Sequence, residues 1–259
     1  MHIQPVLFSD IQTTDLIYYD PDVKDGCLGF CQQRDIDCLP SLTDPNRFFQ
    51  RNSTGFEEKE VPPERIVDCK MPIFDPSLLE KFRTYYLLFV VANNQLTGVV
   101  HFCDYNRPTV HSYLFNLLSA YERSLRKLFC VNKLSNQDML DYYQDRIDTC
   151  SGDEKNFYKR RKKGYENHKA DHEKLAPFEC FYLSDLLELA GHRKVIEVQT
   201  GTCDLRNQIM HAHDLVNLDD PYRGDLIYTL ASFEKFFAQV MVLLHDYKKV
   251  NNRITLLSL

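Results

Sequence analysis

The sequence predicts an α+β protein: a mixed α/β module at the N-terminus followed by an all-α helical bundle. Three observations predict this. Two helix-to-strand passages punctuated by Pro, Gly and Asn fill the first hundred residues. From Val110 onward apolar residues recur at spacings of three and four. A chain of 259 residues with 44% hydrophobic and 26% charged residues is also long and apolar enough to bury a real core. The expected division is 1–109 and 110–259, with a charged insertion at about 151–176.

In the first part, a helix is expected from Pro21 to Gln33, with Asp20 as its cap and Pro21 in the first turn, where a missing N–H costs nothing. Asp35-Ile36-Asp37-Cys38-Leu39-Pro40 reads as a short strand. From Asp44 to Glu64 the polar pattern, with Asn52-Ser53-Thr54-Gly55 and Val61-Pro62-Pro63 as breakers, predicts an exposed loop or irregular edge. A second unit follows. Pro76 to Tyr85 forms a helix, Tyr86-Leu87-Leu88-Phe89-Val90-Val91 a buried strand, Asn93-Asn94 a turn, and Thr97-Gly98-Val99-Val100-His101-Phe102 the returning strand.

Beyond residue 110, Leu114, Leu117, Leu118, Tyr121, Leu125 and Leu128 place one apolar stripe on a helix running to about Phe129. Glu122 lies beside that stripe with two candidate partners: Arg126 one turn on, or Arg206 across the bundle. A second helix is expected from Ser135 to Asp148. A third carries Leu183, Leu186, Leu187 and Ala190 and stops at Gly191. A fourth runs from about Leu205 to Val216, capped by Asp204 or Thr202 after Gly201, with Leu205, Ile209 and Met210 as its apolar face and a turn at Leu218-Asp219-Asp220-Pro221. The last carries Phe233, Phe236, Phe237, Val240, Leu243, Leu244 and Tyr247.

Composition narrows the function. Met1 to Leu16 lacks the basic start and apolar block of a signal peptide, and the longest apolar run, Tyr85 to Ala92, is too short to span a bilayer. The expectation is a soluble, cytoplasmic protein with no membrane partner. Nine scattered cysteines without a Cys-x-x-Cys pair fit reduced thiols. Cys27 with Cys31, and His168 with His172, sit one helical turn apart, but neither pair has a third and fourth ligand nearby. No metal is therefore expected, and a zinc hydrolase built on the two histidines is the weakest reading. The formal charge of −6 argues against a protein that coats nucleic acid. Charge is uneven, however: residues 151–176 total +3 and the remainder −9. Within that segment Lys159, Arg160, Arg161, Lys162 and Lys163 form a candidate RNA-binding run, or else a solvated helix or loop.

The residues that carry chemistry are Asp204-Leu205-Arg206-Asn207-Gln208-Ile209-Met210-His211. A guanidinium forks onto a phosphate, an amide can orient it, and an imidazole serves as general acid or base. Arg161 to His168 repeats the Arg-to-His pattern inside the charged run, where no apolar face supports it. The Arg206-Asn207-His211 pattern resembles the active-site motif of the HEPN family, helical bundles in which the motif opens the helix before the last; the resemblance covers roughly 110–250. It implies a metal-independent ribonuclease needing no cofactor. A ribose 2′-OH attacks the neighbouring phosphate, His211 relays the proton, Arg206 stabilises charge, and Asn207 orients; Glu122, where it faces Arg206 across the bundle, is the fourth candidate catalytic residue. RNA is the implied partner, as are a homodimer and an antitoxin or regulatory protein in stress or defence.

Gly98-Val99-Val100-His101-Phe102-Cys103-Asp104 resembles the nucleotide-binding pattern of the CBS domain, with His101 standing where that family has Thr or Ser. The first repeat, around Ile36 to Arg51, lacks the Gly and Asp signature. The resemblance implies an adenosine-nucleotide site at Gly98, His101 and Asp104, with Asp104 on the ribose hydroxyls; the alternative for Asp104 is a helix N-cap. Together the resemblances imply a sensor joined to a ribonuclease. The alternative is a non-catalytic regulator or adaptor that dimerises through its helical domain and senses an adenosine nucleotide.

Overall fold

The computed structural model describes residues 3–34, 36–197, 201–211, 214–216 and 229–257. The chain is mixed α+β and divides into two compact units, one of residues 4–113 with 214–237 and the other of residues 1–3, 114–213 and 238–259. The first unit thus takes in 214–237, which a division at residue 110 would leave with the helices.

The first unit begins with α1 (Phe8–Ile11). The Asp20 carboxylate then accepts the N–H of Asp22 at 2.9 Å, and a single 3-10 turn from Pro21 leads into α2 (Lys24–Arg34), as the Asp-Pro signal predicts. The strand expected at 35–40 shortens to β1 (Cys38–Pro40).

The loop expected from Asp44 to Glu64 is instead an antiparallel hairpin of β2 (Arg47–Asn52) and β3 (Gly55–Glu60), giving a sheet in the order β1-β2-β3. The breakers are its turn: Asn52 Oδ1 accepts from the Thr54 N–H at 3.0 Å, and Gly55 takes φ +153°. The polar pattern belongs to exposed strand surface, where Arg47 reaches Glu58 at 3.4 Å across the pair.

A second sheet joins β4 (Ile66–Asp68), parallel, to β5 (Leu87–Ala92), which follows α3 (Leu78–Tyr85); β6 (Gln95–His101) returns antiparallel. Asn93 and Asn94 both have positive φ, the backbone a tight hairpin turn of matching twist requires. The start of the last helix belongs to this unit for an aromatic reason. Phe233 sits 5.1 Å from Phe82 and 4.9 Å from Tyr105, and Phe237 lies 5.9 Å from Phe74.

The helices are α4 (Pro108–Val131), α5 (Asn136–Thr149), α6 (Gly152–Asn167), α7 (Lys169–His172), α8 (Leu183–His192), α9 (Thr202–Met210) and α10 (Leu230–Leu257). The predicted stripe on α4, Leu114 to Leu128, is buried throughout, as are Leu183, Leu186, Leu187 and Ala190 on α8. The charged insertion is helical. Asp153 and Glu154 occupy the first turn of α6, where negative charge complements the exposed N–H groups, and Tyr158 and Tyr165 bury one narrow face. Both Tyr142 and Tyr158 donate to Glu188 Oε2 at 3.0 Å, tying α5 and α6 to α8.

All nine cysteines are free thiols, and Cys27 and Cys31 pack against Leu39 in a small core. No helix among the described residues is long and apolar enough to cross a membrane.

Candidate functional site

α9 starts at Thr202, with Gly201 in the cap position and Asp204 in the first turn, so neither Thr202 nor Asp204 is the cap. It ends six residues earlier than the expected Val216: the N–H of His211 closes the last turn on Asn207 O at 3.1 Å. Leu215 and Val216 lie outside it. Both their N–H groups donate to Asn106 Oδ1 at 2.8 Å, and Asn106 Nδ2 returns a bond to Val216 O at 3.2 Å. This side-chain clamp satisfies backbone that a longer helix would otherwise have used. The turn expected at Leu218 to Pro221 lies outside the described residues.

Thr202, Leu205 and Ile209 face inward, whereas Met210, expected on the apolar face, is 47% exposed. The opposite side carries Arg206, half-buried, with Asn207 and His211, both exposed and one helical turn apart. Arg206 Nη1 approaches Asn207 Oδ1 at 3.4 Å, and no carboxylate pairs with Arg206 among the described residues. The three motif side chains therefore share one helix end. Thr202 Oγ1 at the start of α9 and Gln208 Oε1 near its end are buried without a hydrogen-bond partner among the described residues. Burial, and then the charges of Asp246 and Cys203, push the Tyr121 phenol well above its ordinary range.

Glu122 pairs with Arg126 at 3.4 Å, and Arg126 also donates to the carbonyls of Phe178 and Phe181 at 3.2 and 3.3 Å. Of the two partners expected for Glu122, the structure takes the neighbour on the same helix. It forms no ion pair with Arg206, because the carboxylate is already held one turn away.

In the 98–104 segment the polar groups are spent on the chain itself. A Cβ on Gly98 would stand 2.7 Å from both Thr13 O and Gln12 Oε1, so the backbone that approaches this glycine is the N-terminal segment. Thr13 and Val99 exchange backbone bonds of 2.8 and 3.1 Å there. His101 caps a 3-10 turn: its Nδ1 accepts from Cys103 N–H at 3.2 Å, while Asp104 Oδ2 accepts from His101 N–H at 2.8 Å. The cap is thus His101, and Asp104 is its reciprocal partner rather than the N-cap expected from the sequence. Burial lowers the His101 imidazole below its usual range and pushes the Cys103 thiol up to about 11.

The basic run divides. Lys159, Arg160 and Lys163 are exposed on α6, whereas Lys162 donates to Gln144 Oε1 at 2.8 Å. Arg161 lies 4.2 Å over the Tyr182 ring and 3.8 Å from Asp185 Oδ2. It lines a cavity of about 520 Å³ together with Arg160, Tyr165, His168, His172, Phe181, Tyr182 and Asp185. The second Arg-to-His pair of the sequence, Arg161 and His168, is therefore brought to one cavity wall. Sequence reasoning had the spacing but lacked Asp185, Phe181 and Tyr182, which come from the following loop and helix.

No family model, curated protein or solved structure matches the chain. What the sites can do follows from their groups. The end of α9 offers a half-buried cation with an exposed amide and imidazole, a set suited to holding a phosphate and moving a proton. No group of three or more metal-ligating side chains occurs among the described residues, and His168 and His172, with ring centres 6.0 Å apart, remain a pair.

Proposed function

We propose that the chain is a metal-independent endoribonuclease of HEPN type acting on single-stranded RNA. The observation that carries this reading is the end of α9, where half-buried Arg206, which has no carboxylate partner among the described residues, lies with exposed Asn207 and His211. The 2′-OH of one ribose attacks the adjoining phosphorus as its proton passes to a base, and the P–O5′ bond breaks. The products carry a 2′,3′-cyclic phosphate and a 5′-OH. His211 relays the proton, Arg206 neutralises charge developing on the phosphoryl oxygens, and Asn207 orients the group. The N-terminal CBS-like unit adjusts this activity, in a cytoplasmic stress or defence setting.

The test is cleavage of end-labelled RNA by the purified chain in EDTA, with the termini analysed. His211→Ala is expected to slow cleavage by about a hundredfold or more. Cleavage lost on chelation, or unchanged in His211→Ala, overturns the reading.

A second reading draws on Met210, exposed beside the motif. An apolar side chain there suits a helix face that docks against another copy, and the chain then serves as a non-catalytic adaptor. Intact RNA alongside a stable dimer favours it.

A further inference from the structure

The cavity of the helical unit has a cationic mouth, aromatic walls and a buried polar floor. At the mouth, Arg160 is exposed with no carboxylate partner among the described residues, and His168, two turns further along at the end of α6, is exposed on the same lining. The walls include Tyr165 stacked on Phe181, ring centres 5.3 Å apart and planes within 4°, and Tyr182 carrying the Arg161 guanidinium. The floor is Asp185, only 1% exposed. Its Oδ2 accepts the Tyr182 N–H at 3.0 Å and faces Arg161, and the Tyr143 hydroxyl, also on the cavity lining, lies against the carboxylate, while Oδ1 is buried with no hydrogen bond of ordinary geometry among the described residues. Nδ1 of His172, on the same wall, is also buried without one.

Buried polar atoms in native proteins are nearly always satisfied, so these two point to a molecule that brings its own hydrogen-bonding edge. With Arg161 offset by Asp185, the remaining mouth charge selects an anion, and the walls select a flat ring. About 520 Å³ lies within the roughly 300–1,000 Å³ of small-molecule sites. We infer that this cavity binds a single phosphorylated nucleotide: the base lies against the aromatic walls and donates an N–H to Asp185 Oδ1, and the phosphate rests on Arg160 and His168. A phosphotyrosine would supply ring and phosphate, but its N–H donors sit off the ring on the backbone, whereas a nucleobase carries them on the ring edge, which is why the nucleobase is favoured. The nucleotide is either free in solution or one residue of an RNA strand. The inference does not rest on RNA cleavage, since none of Arg206, Asn207 and His211 lines the cavity.

Calorimetry on the full chain tests it, using AMP, CMP, GMP and UMP, their nucleosides, ribose 5-phosphate, inorganic phosphate, phosphotyrosine and a 5′-phosphorylated RNA trimer. At least one nucleotide is expected to bind about tenfold more tightly than its nucleoside and than ribose 5-phosphate. Arg160→Glu, at an exposed position, should remove the advantage of nucleotide over nucleoside; Asp185→Asn should weaken both. The double variant Arg206→Ala with His211→Ala should bind as the parent does, separating this site from the cleavage reading. A trimer binding about tenfold better than any mononucleotide identifies a strand as the source, and equal affinities identify the free nucleotide. No binding of any nucleotide at about 5 mM, affinity unchanged in Arg160→Glu, or phosphotyrosine binding as well as the best nucleotide overturns the inference.

Discussion

The Asp104 carboxylate grips Arg107 with two hydrogen bonds to Oδ1, 3.1 Å from Nε and 2.9 Å from Nη2. Its other oxygen holds the His101 N–H, and Arg107 Nη2 continues to Thr13 Oγ1 at 2.8 Å. Both carboxylate oxygens are thus engaged inside the chain, where the CBS resemblance would give them to a ribose. Asp104→Ala is expected to cost about 1–2 kcal/mol of folding stability through loss of the reciprocal cap and the ion pair. Urea denaturation reads this directly, and an unchanged midpoint would show that the network contributes nothing.

Gly98 gives a sharper expectation because its neighbour is backbone. A Cβ 2.7 Å from Thr13 O cannot be relieved by turning a side chain, so Gly98→Ala must push the N-terminal segment off β6 and strain the two Thr13 to Val99 bonds. About 1–3 kcal/mol is the usual cost of such overpacking. Loss of amide protection at Thr13 and Val99 in hydrogen exchange would accompany it; a variant as stable and as protected as the parent defeats this account.

Gly98 also marks how far the sequence was legible. That a backbone approaches there could be read from a lone glycine in a strand; that it is the chain's own residues 12–13, some 85 positions away, could not. Local signals served well where structure is local. Asp20-Pro21, Asn93-Asn94 and the α4 stripe each fold as their residue types dictate. The 47–60 hairpin was hidden because its strands carry charge on an exposed surface instead of alternating, and the end of α9 was misplaced because Asn106, a hundred residues earlier, takes the backbone of Leu215 and Val216. The cavity was illegible for the same reason: Arg161 and His168 are close in sequence, but the floor and walls around them come from Phe181, Tyr182 and Asp185.

The division within the basic run predicts two kinds of behaviour. Reversing the exposed Lys159, Arg160 and Lys163 to Glu should weaken RNA binding and flatten its dependence on salt by up to about three counterions, with stability within about 0.5 kcal/mol of the parent. Arg161→Ala should instead destabilise the chain, because it strips a buried carboxylate of its cation. An unaltered salt slope in the triple variant would return the run to a solvated helix face.

Asp185 should leave a signature in the pH dependence of stability. Burial raises its carboxyl above the ordinary range, against the opposing pull of Arg161, the Tyr182 N–H and Tyr143. A raised folded value means that the native state holds its proton to higher pH than the unfolded chain does. Stability from this group is therefore present below the unfolded value near pH 4 and declines as pH rises through the folded value. Asp185→Asn has no such proton. The stability of the parent relative to Asp185→Asn should fall as pH rises from about pH 4 and level off once the folded carboxyl has ionised, and a pH-independent difference would show that the carboxylate is better solvated than its surroundings imply.

One Arg and one His on a single exposed helix end make a sparse site, and the exposed Met210 beside them offers an apolar contact for a second copy. A two-fold axis close to α9 would bring two guanidinium groups and two imidazoles to one cleft, and self-complementary dimers are the commonest assembly of soluble chains. Charge on a bound phosphate would then be met by both copies. Arg206→Ala and His211→Ala should each be inactive alone, yet a mixture allowed to exchange subunits should regain activity, since each mixed dimer keeps one Arg206 and one His211. Met210→Glu, placing charge at the contact, should shift the dimer toward monomer and abolish that recovery. Light scattering that shows a monomer at the assay concentration, with cleavage nonetheless intact, would place the whole site on one chain.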